Sequence, residues 1–256
     1  MNLPSGRQRP NRGDHDPAIG PAYRQRASAL LAFLLLTCLN WACGGPLAIS
    51  PTPSSPHTYT TQFPLTENPI SEGGNWVNGG AVGLNWTNVR TIGGLAIGTE
   101  SGSGGYDDST AVLAGDWNTN QTAQATVHTV NQDSDVYEEV ELRLRTTIAP
   151  HSITGYEINF RCTHDGSQYV QIVRWNGPFG SFTVVSDTSS TPGLHNGDTV
   201  KATIQGSTIS VYLNGALVLE GTDSTYTTGS PGIGFFLSGG TGVNADYGFT
   251  SFTASD

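Results

Sequence analysis

Beyond residue 62 the chain repeatedly alternates apolar and polar residues with a period of two. That spacing belongs to strands that bury one face and turn the other outward. The segment "QTAQATVHTV" (121–130) alternates around Ala123, Ala125 and Val127. In "VYEEVELRLRTT" (136–147), Val140, Leu142 and Leu144 point one way, and Glu139, Glu141, Arg143 and Arg145 point the other. "ITGYEINFRCT" (153–163) sets Tyr156, Ile158, Phe160 and Cys162 against Glu157, Asn159 and Arg161. "YVQIVRW" (169–175) places Tyr169, Gln171 and Trp175 on one face and Arg174 on the other. Downstream, "DTVKATIQGSTISVYLNGALVLEGT" (198–222) reads as an antiparallel series turned at Gly206-Ser207 and at Asn214-Gly215. Asn-Gly between alternating runs is the strongest short hairpin signal. Short apolar runs, "GGLAIGT", "STAVLAG", "GIGFFLS" and "ADYGFTSFTAS", complete a set of about ten strands, which predicts a two-layer sandwich or a barrel.

Outside this region the pattern changes. Arg7, Arg9, Arg12, Arg24 and Arg26 precede the apolar run "ALLAFLLL" (29–36), and small and polar residues follow in "TCLNWACGG". This is the layout of a secretory signal over residues 1–43, with an apolar core shorter than the roughly 20 residues of a membrane span. Cys43 between Ala42 and Gly44 is placed like the lipidated cysteine of a bacterial lipoprotein signal, although Asn40 stands where an aliphatic residue is usual. Residues 44–62 are rich in Pro, Ser and Thr and read as a linker. The expectation is a secreted or envelope-anchored protein whose contact with a membrane is an N-terminal lipid or an uncleaved signal anchor.

Charge narrows the partners. The chain has 11 Lys+Arg against 21 Asp+Glu and carries few charges for its length, so no basic patch stands ready to displace counterions from a nucleic acid. That scarcity makes four charges on one side of one strand the feature to explain. Cys162 lies in phase with Ile158 and Phe160 and is expected in the core. His57, His128, His151, His164 and His195 fall in the linker, on an outer strand face or in turns, where solvated roles are expected.

Three stretches, "FPLTENPISEGGNW" (63–76), "GDTVKATIQGSTISVYLNGALVLEGTD" (197–223) and "GSPGIGFF" (229–236), resemble bacterial extracellular domains of the concanavalin A-like lectin/glucanase group, laminin-G-like modules among them. The resemblance spans residues 63–256 and implies an all-β antiparallel two-sheet jelly roll. It also implies a polysaccharide ligand on the concave face of one sheet. Glu139, Glu141, Arg143, Glu157, Asn159, Arg161 and Gln171 are then expected as the groove floor, with Trp175 as an edge platform and Trp76 in the core. Arginine forks favour a uronate or sulfate. A structural Ca²⁺ at Asp246, with Glu67 or Asn68 nearby, is the one cofactor implied.

The same group includes glycoside hydrolases and polysaccharide lyases, and the chain departs from both templates. Arg143 interrupts the acidic row that a retaining glucanase continues, and a cation there is expected to lower neighbouring carboxylates. Val173 stands where jelly-roll alginate lyases carry a histidine. A lyase would need Tyr156 or Tyr169 as base beside Arg161. Non-catalytic carbohydrate binding is therefore the primary expectation. A degrading enzyme, or an adhesion module without a glycan ligand, is the alternative.

Overall fold

The computed structural model describes residues 56–256 apart from 104, 106, 107, 240 and 241. Cys43, the expected signal and the first part of the linker lie outside the described residues.

Among the described residues seventeen strands follow one another: β1 (Thr58–Thr61), β2 (Thr66–Glu67), β3 (Trp76–Asn78), β4 (Thr87–Asn88), β5 (Arg90–Ile92), β6 (Ala96–Ile97), β7 (Ser109–Leu113), β8 (Gln121–Thr129), β9 (Tyr137–Ala149), β10 (Ser152–Arg161), β11 (Val170–Gly177), β12 (Phe182–Thr188), β13 (Thr199–Gln205), β14 (Thr208–Leu213), β15 (Ala216–Thr222), β16 (Ser230–Ser238) and β17 (Tyr247–Ser255). One turn of helix, α1 (Gly79–Val82), and a 3₁₀ turn at Asn244–Asp246 are the helical pieces among the described residues. The strands form two sheets. The first runs β15-β14-β13-β8-β17-β6-β5-β2, with β1 also on β17; the second runs β12-β11-β10-β9-β16-β7-β3, with β4 parallel to β7. Apart from β4, every pairing is antiparallel. The described residues form an all-β, antiparallel two-sheet jelly-roll sandwich.

Both predicted hairpins form where the turn chemistry puts them. Gln205 pairs with Thr208 around Gly206-Ser207, and Asn214 and Gly215, both at positive φ, turn β14 into β15. Part of the stretch expected as linker is a strand. Thr58–Thr61 is a strand against the C-terminal end of β17, because Thr-Tyr-Thr-Thr suits a pleated edge and Thr61 is buried there.

Alternation places the core between the sheets. Val140, Leu142 and Leu144 from β9, Ile158 and Phe160 from β10 and Phe235 from β16 meet Ala123, Ala125 and Val127 from β8, Ala202 from β13 and Phe249 and Phe252 from β17. Trp76 and Cys162 are in this cluster, as expected. Burial, foremost, also raises the Cys162 thiol well above its ordinary range, which keeps it unreactive. A second, smaller cluster lies on the opposite face of the second sheet. There Leu84 and Trp86, from the segment after α1, pack on Ile153, Val173 and Trp175. One end of that outer face is therefore covered rather than open.

The alternation of β9 holds up to Leu144 and then breaks. Tyr156 pairs with Leu144 but Thr154 pairs with Thr147, and β16 skips in the same place, so β9 carries one extra residue at a bulge. Arg145 sits there at φ 46°. Its side chain leaves the charged row and donates to the carbonyls of Thr119 (2.6 Å), Tyr226 (3.0 Å) and Gly206 (2.8 Å). Arg145 is thus a structural clasp and not a fourth member of the row.

Candidate functional site

Three strands bring the expected floor together. In register, Glu139 faces Arg161, Glu141 faces Asn159, and Arg143 faces Glu157 across β9 and β10, while Gln171 of β11 continues the Glu141–Asn159 row. Arg143 is the centre. Its Nη1 donates to Glu157 at 2.8 Å, and its Nη2 donates to Glu141 and lies 3.7 Å from the Asp108 carboxylate. Gly234 of β16 makes room for this cluster. A Cβ there would fall within 3 Å of both Glu141 and Arg143.

The floor is buried, contrary to the open groove expected from the sequence. Arg143 is 0% exposed, and Glu139, Glu141, Glu157, Asn159 and Arg161 are all buried. Aromatic rings account for part of the covering. Trp86 lies over Arg143, its ring centre 4.9 Å from the guanidinium carbon, and Tyr137 lies 4.2 Å over Arg161. Tyr169 turns its hydroxyl to Glu139. Trp175 is 4% exposed, edge-on to Trp86 and to Phe182, with its indole N–H on Glu157. It is a wall of the site and not a platform at its rim. Phe179, in the β11–β12 turn, is the exposed ring nearby in sequence, at 49%.

Both arginine forks are also occupied internally. Arg143 holds the carboxylates, and Arg161 donates to the carbonyls of Ser167, Ser134 and Val136. Neither presents the bidentate face expected for a uronate or sulfate.

The electrostatics reverse a second expectation. Asp108 and Glu141 are both held well above the ordinary carboxylate range, first by burial and next by Glu157, and the opposing pull of Arg143 does not offset these. The oxygens of Asp108, Glu141 and Glu157 lie within 4.8 Å of one another, close enough to share an ion. Calcium fits poorly, because the Arg143 guanidinium already stands among them and Ca²⁺ takes six to eight oxygens. Of the two partners implied for Asp246, Glu67 is engaged elsewhere. Glu67 lies in β2, three strand spacings from β17, or roughly 14 Å across the sheet. Its carboxylate accepts the N–H groups of Ser71 and Glu72. Asp246 instead receives Asn131 Nδ2 at 3.3 Å.

Asp246 matters to its neighbour Glu138. Burial, then the Asp246 and Asp133 charges, raise the Glu138 carboxyl to about 7. A carboxyl raised on folding stabilises most below its unfolded pKa, and that contribution is lost as pH climbs through the folded value. Wild-type stability is therefore expected to fall between about pH 4.5 and 7. Glu138→Gln should flatten that slope in urea titrations across the window, and an unchanged slope would remove Glu138 as its source.

Tyr156 is excluded as a base acting with Arg161. It points into the core, bonded to Asp223 (2.8 Å) and to the Tyr226 N–H (3.1 Å), and burial raises it to about 12. Tyr169 is on the correct face, 6.0 Å from the Arg161 guanidinium carbon. Sequence reasoning missed Trp86 and Asp108. Neither lies in an alternating run, and "GYDDST" shows only a loop that could flank the site.

Some polar atoms here have no protein partner: the donors Trp86 Nε1 and Arg143 Nε, and the acceptors Asn159 Oδ1 and Gln171 Oε1. Buried polar groups are rarely left this way, so each calls for a ligand or an ordered water.

No protein-family model matches the chain, and no curated protein matches it. Among solved structures it is similar to β-agarase A in complex with oligoagarose, at a TM-score of 0.49 and 10% identity over 79% of this chain and 93% of that one. It is also similar to the carbohydrate binding module CBM66 from Bacillus subtilis, at a TM-score of 0.46 and 16% identity over 73% and 95%. The galectin LEC-6 of Caenorhabditis elegans gives a TM-score of 0.38 and 18% identity over 62% and 94%. None of these three scores reaches 0.5, and the sandwich rests on the strand pairing given above.

Proposed function

We propose that this is an exported, non-catalytic domain that binds a glycan at the outer face of its second sheet. The observation that carries the reading is the set of unpartnered polar atoms on that face, two donors and two acceptors among aromatic rings. Sugar hydroxyls donate and accept at once, so a polyhydroxylated ligand can satisfy both kinds, and ring faces suit its apolar side. Export through the signal at residues 1–43, with Cys43 as the lipidated residue, belongs to the same proposal. Mass spectrometry of the mature N-terminus tests it.

The acidic triad favours hydrolysis as the second reading, because carboxyls held protonated by burial are the raw material of general acids. Against it, Arg143 is clamped onto both Glu141 and Glu157. Screening the protein against a polysaccharide panel, with retardation and product release recorded together, separates the readings. Retardation without release is expected. Release that Glu141→Gln abolishes would establish the enzyme, and a panel without retardation or release would remove the glycan.

A further inference from the structure

We infer that the glycan bound here carries a free amine: the excess of carboxylates over guanidinium at Asp108, Glu141 and Glu157, beside the unpartnered Asn159 Oδ1, selects a protonated amino sugar over a neutral or acidic one. The inference rests on the glycan reading and adds a substrate class to it.

Charge counting comes first. Three carboxylates with oxygens inside 4.8 Å face one cation, Arg143, whose two Nη groups are already spent on them. A buried carboxylate without compensation is costly, so the cluster must take up protons or another cation. The raised Asp108 and Glu141 carboxyls are what proton uptake looks like.

Hydrogen-bond counting points the same way. Asn159 is 3% exposed and turns its Nδ2 to Glu157 Oε1 at 3.0 Å, so its amide lies against the triad while its Oδ1 has no partner. Its cross-strand neighbour Gln171 leaves Oε1 unpartnered as well. An ammonium brings three donors and no acceptor, which suits two bare amide oxygens beside a carboxylate group. A uronate or sulfate brings acceptors and more negative charge. A divalent ion needs more oxygens than Arg143 leaves, and it feels the guanidinium twice as strongly as a single charge does. The unpartnered donors Trp86 Nε1 and Arg143 Nε are left for the hydroxyls of the same sugar. Half-buried Tyr169 and Gln171 border this face.

Calorimetry on the purified protein at pH 7 tests this with three β-1,4-linked oligomers of equal length: glucosamine, N-acetylglucosamine and glucose. The glucosamine oligomer is expected to bind about tenfold tighter than the other two. Its enthalpy should vary with the ionisation heat of the buffer, because the amine displaces a proton held by the triad. Asp108→Asn and Glu141→Gln, each checked by thermal melt, should remove the preference. Equal affinity for the three oligomers overturns the amine while leaving glycan binding intact. The same holds if none of them binds but another polysaccharide of the panel does. Binding of CaCl₂, MgCl₂ or ZnCl₂ alone that Glu141→Gln abolishes, without preference for the glucosamine oligomer, assigns the charge to an inorganic ion and also overturns it. If nothing in the panel binds, the glycan reading itself fails.

Discussion

Arg143→Ala is expected to destabilise the domain by about 3–5 kcal/mol, the usual consequence of removing one partner from a buried charge cluster. The side chain is fully buried and is the cation that holds Asp108, Glu141 and Glu157. Removing it leaves three carboxylates within 4.8 Å of one another, and a cavity under Trp86. For a domain of this size the melting temperature should drop by roughly 6–20 °C. The pH dependence identifies the cause. Without Arg143 the Asp108 and Glu141 carboxyls rise further in the folded state, so the variant should regain stability as pH falls towards the unfolded carboxylate range and lose it as pH rises. A cavity alone would cost the same at every pH. Urea titrations at pH 4.5 and pH 8 measure both effects. A variant as stable as wild type at pH 8 would mean that the guanidinium is not holding the cluster.

What the sequence conveys about this molecule follows from what a period of two can encode. It assigns each residue to one of two faces, and for Val140, Leu142, Ile158 and Phe160 against Glu141, Arg143, Glu157 and Asn159 that assignment is right. The turn at Asn214-Gly215 is legible because its backbone conformation needs those residues. Alternation does not say what lies over the outer face. Trp86 and Asp108 reach it from segments far along the chain, and neither segment has a periodicity that could announce the contact. By alternation alone a polar outer row reads as exposed, with Trp175 at its rim, whereas the row is buried and Trp175 is a wall. Phase is equally blind to an inserted residue. Counting by two through Arg145 puts it in the row, whereas the bulge turns it out.

That bulge gives the second large effect. Gly155→Ala is expected to cost about 2–6 kcal/mol, through left-handed backbone strain and overpacking together. Gly155 has φ 125°, a conformation that a residue with a Cβ rarely adopts. A Cβ there would come 2.5 Å from the Arg145 carbonyl oxygen and 2.6 Å from Thr146 Cα, both backbone atoms that no side-chain rotation can clear. Gly229 flanks the bulge from the β16 side and would likewise meet Arg145 backbone within 3 Å. The extra residue in β9 therefore exists only because both neighbouring segments present glycine beside it. The strain should pass to Arg145, whose N–H donates to Gln121 Oε1 at 2.8 Å and whose guanidinium ties together the carbonyls of Thr119, Gly206 and Tyr226. Amide hydrogen exchange should accordingly rise at Arg145, and at the Gly206 N–H, which donates to Asn120 beside the clasp, before it rises in the sheet centre. A melting temperature within about 2 °C of wild type would show that the bulge tolerates a Cβ, since that is less than 1 kcal/mol for a domain of this length. The charged row would then owe its register to pairing alone, without the help of this glycine.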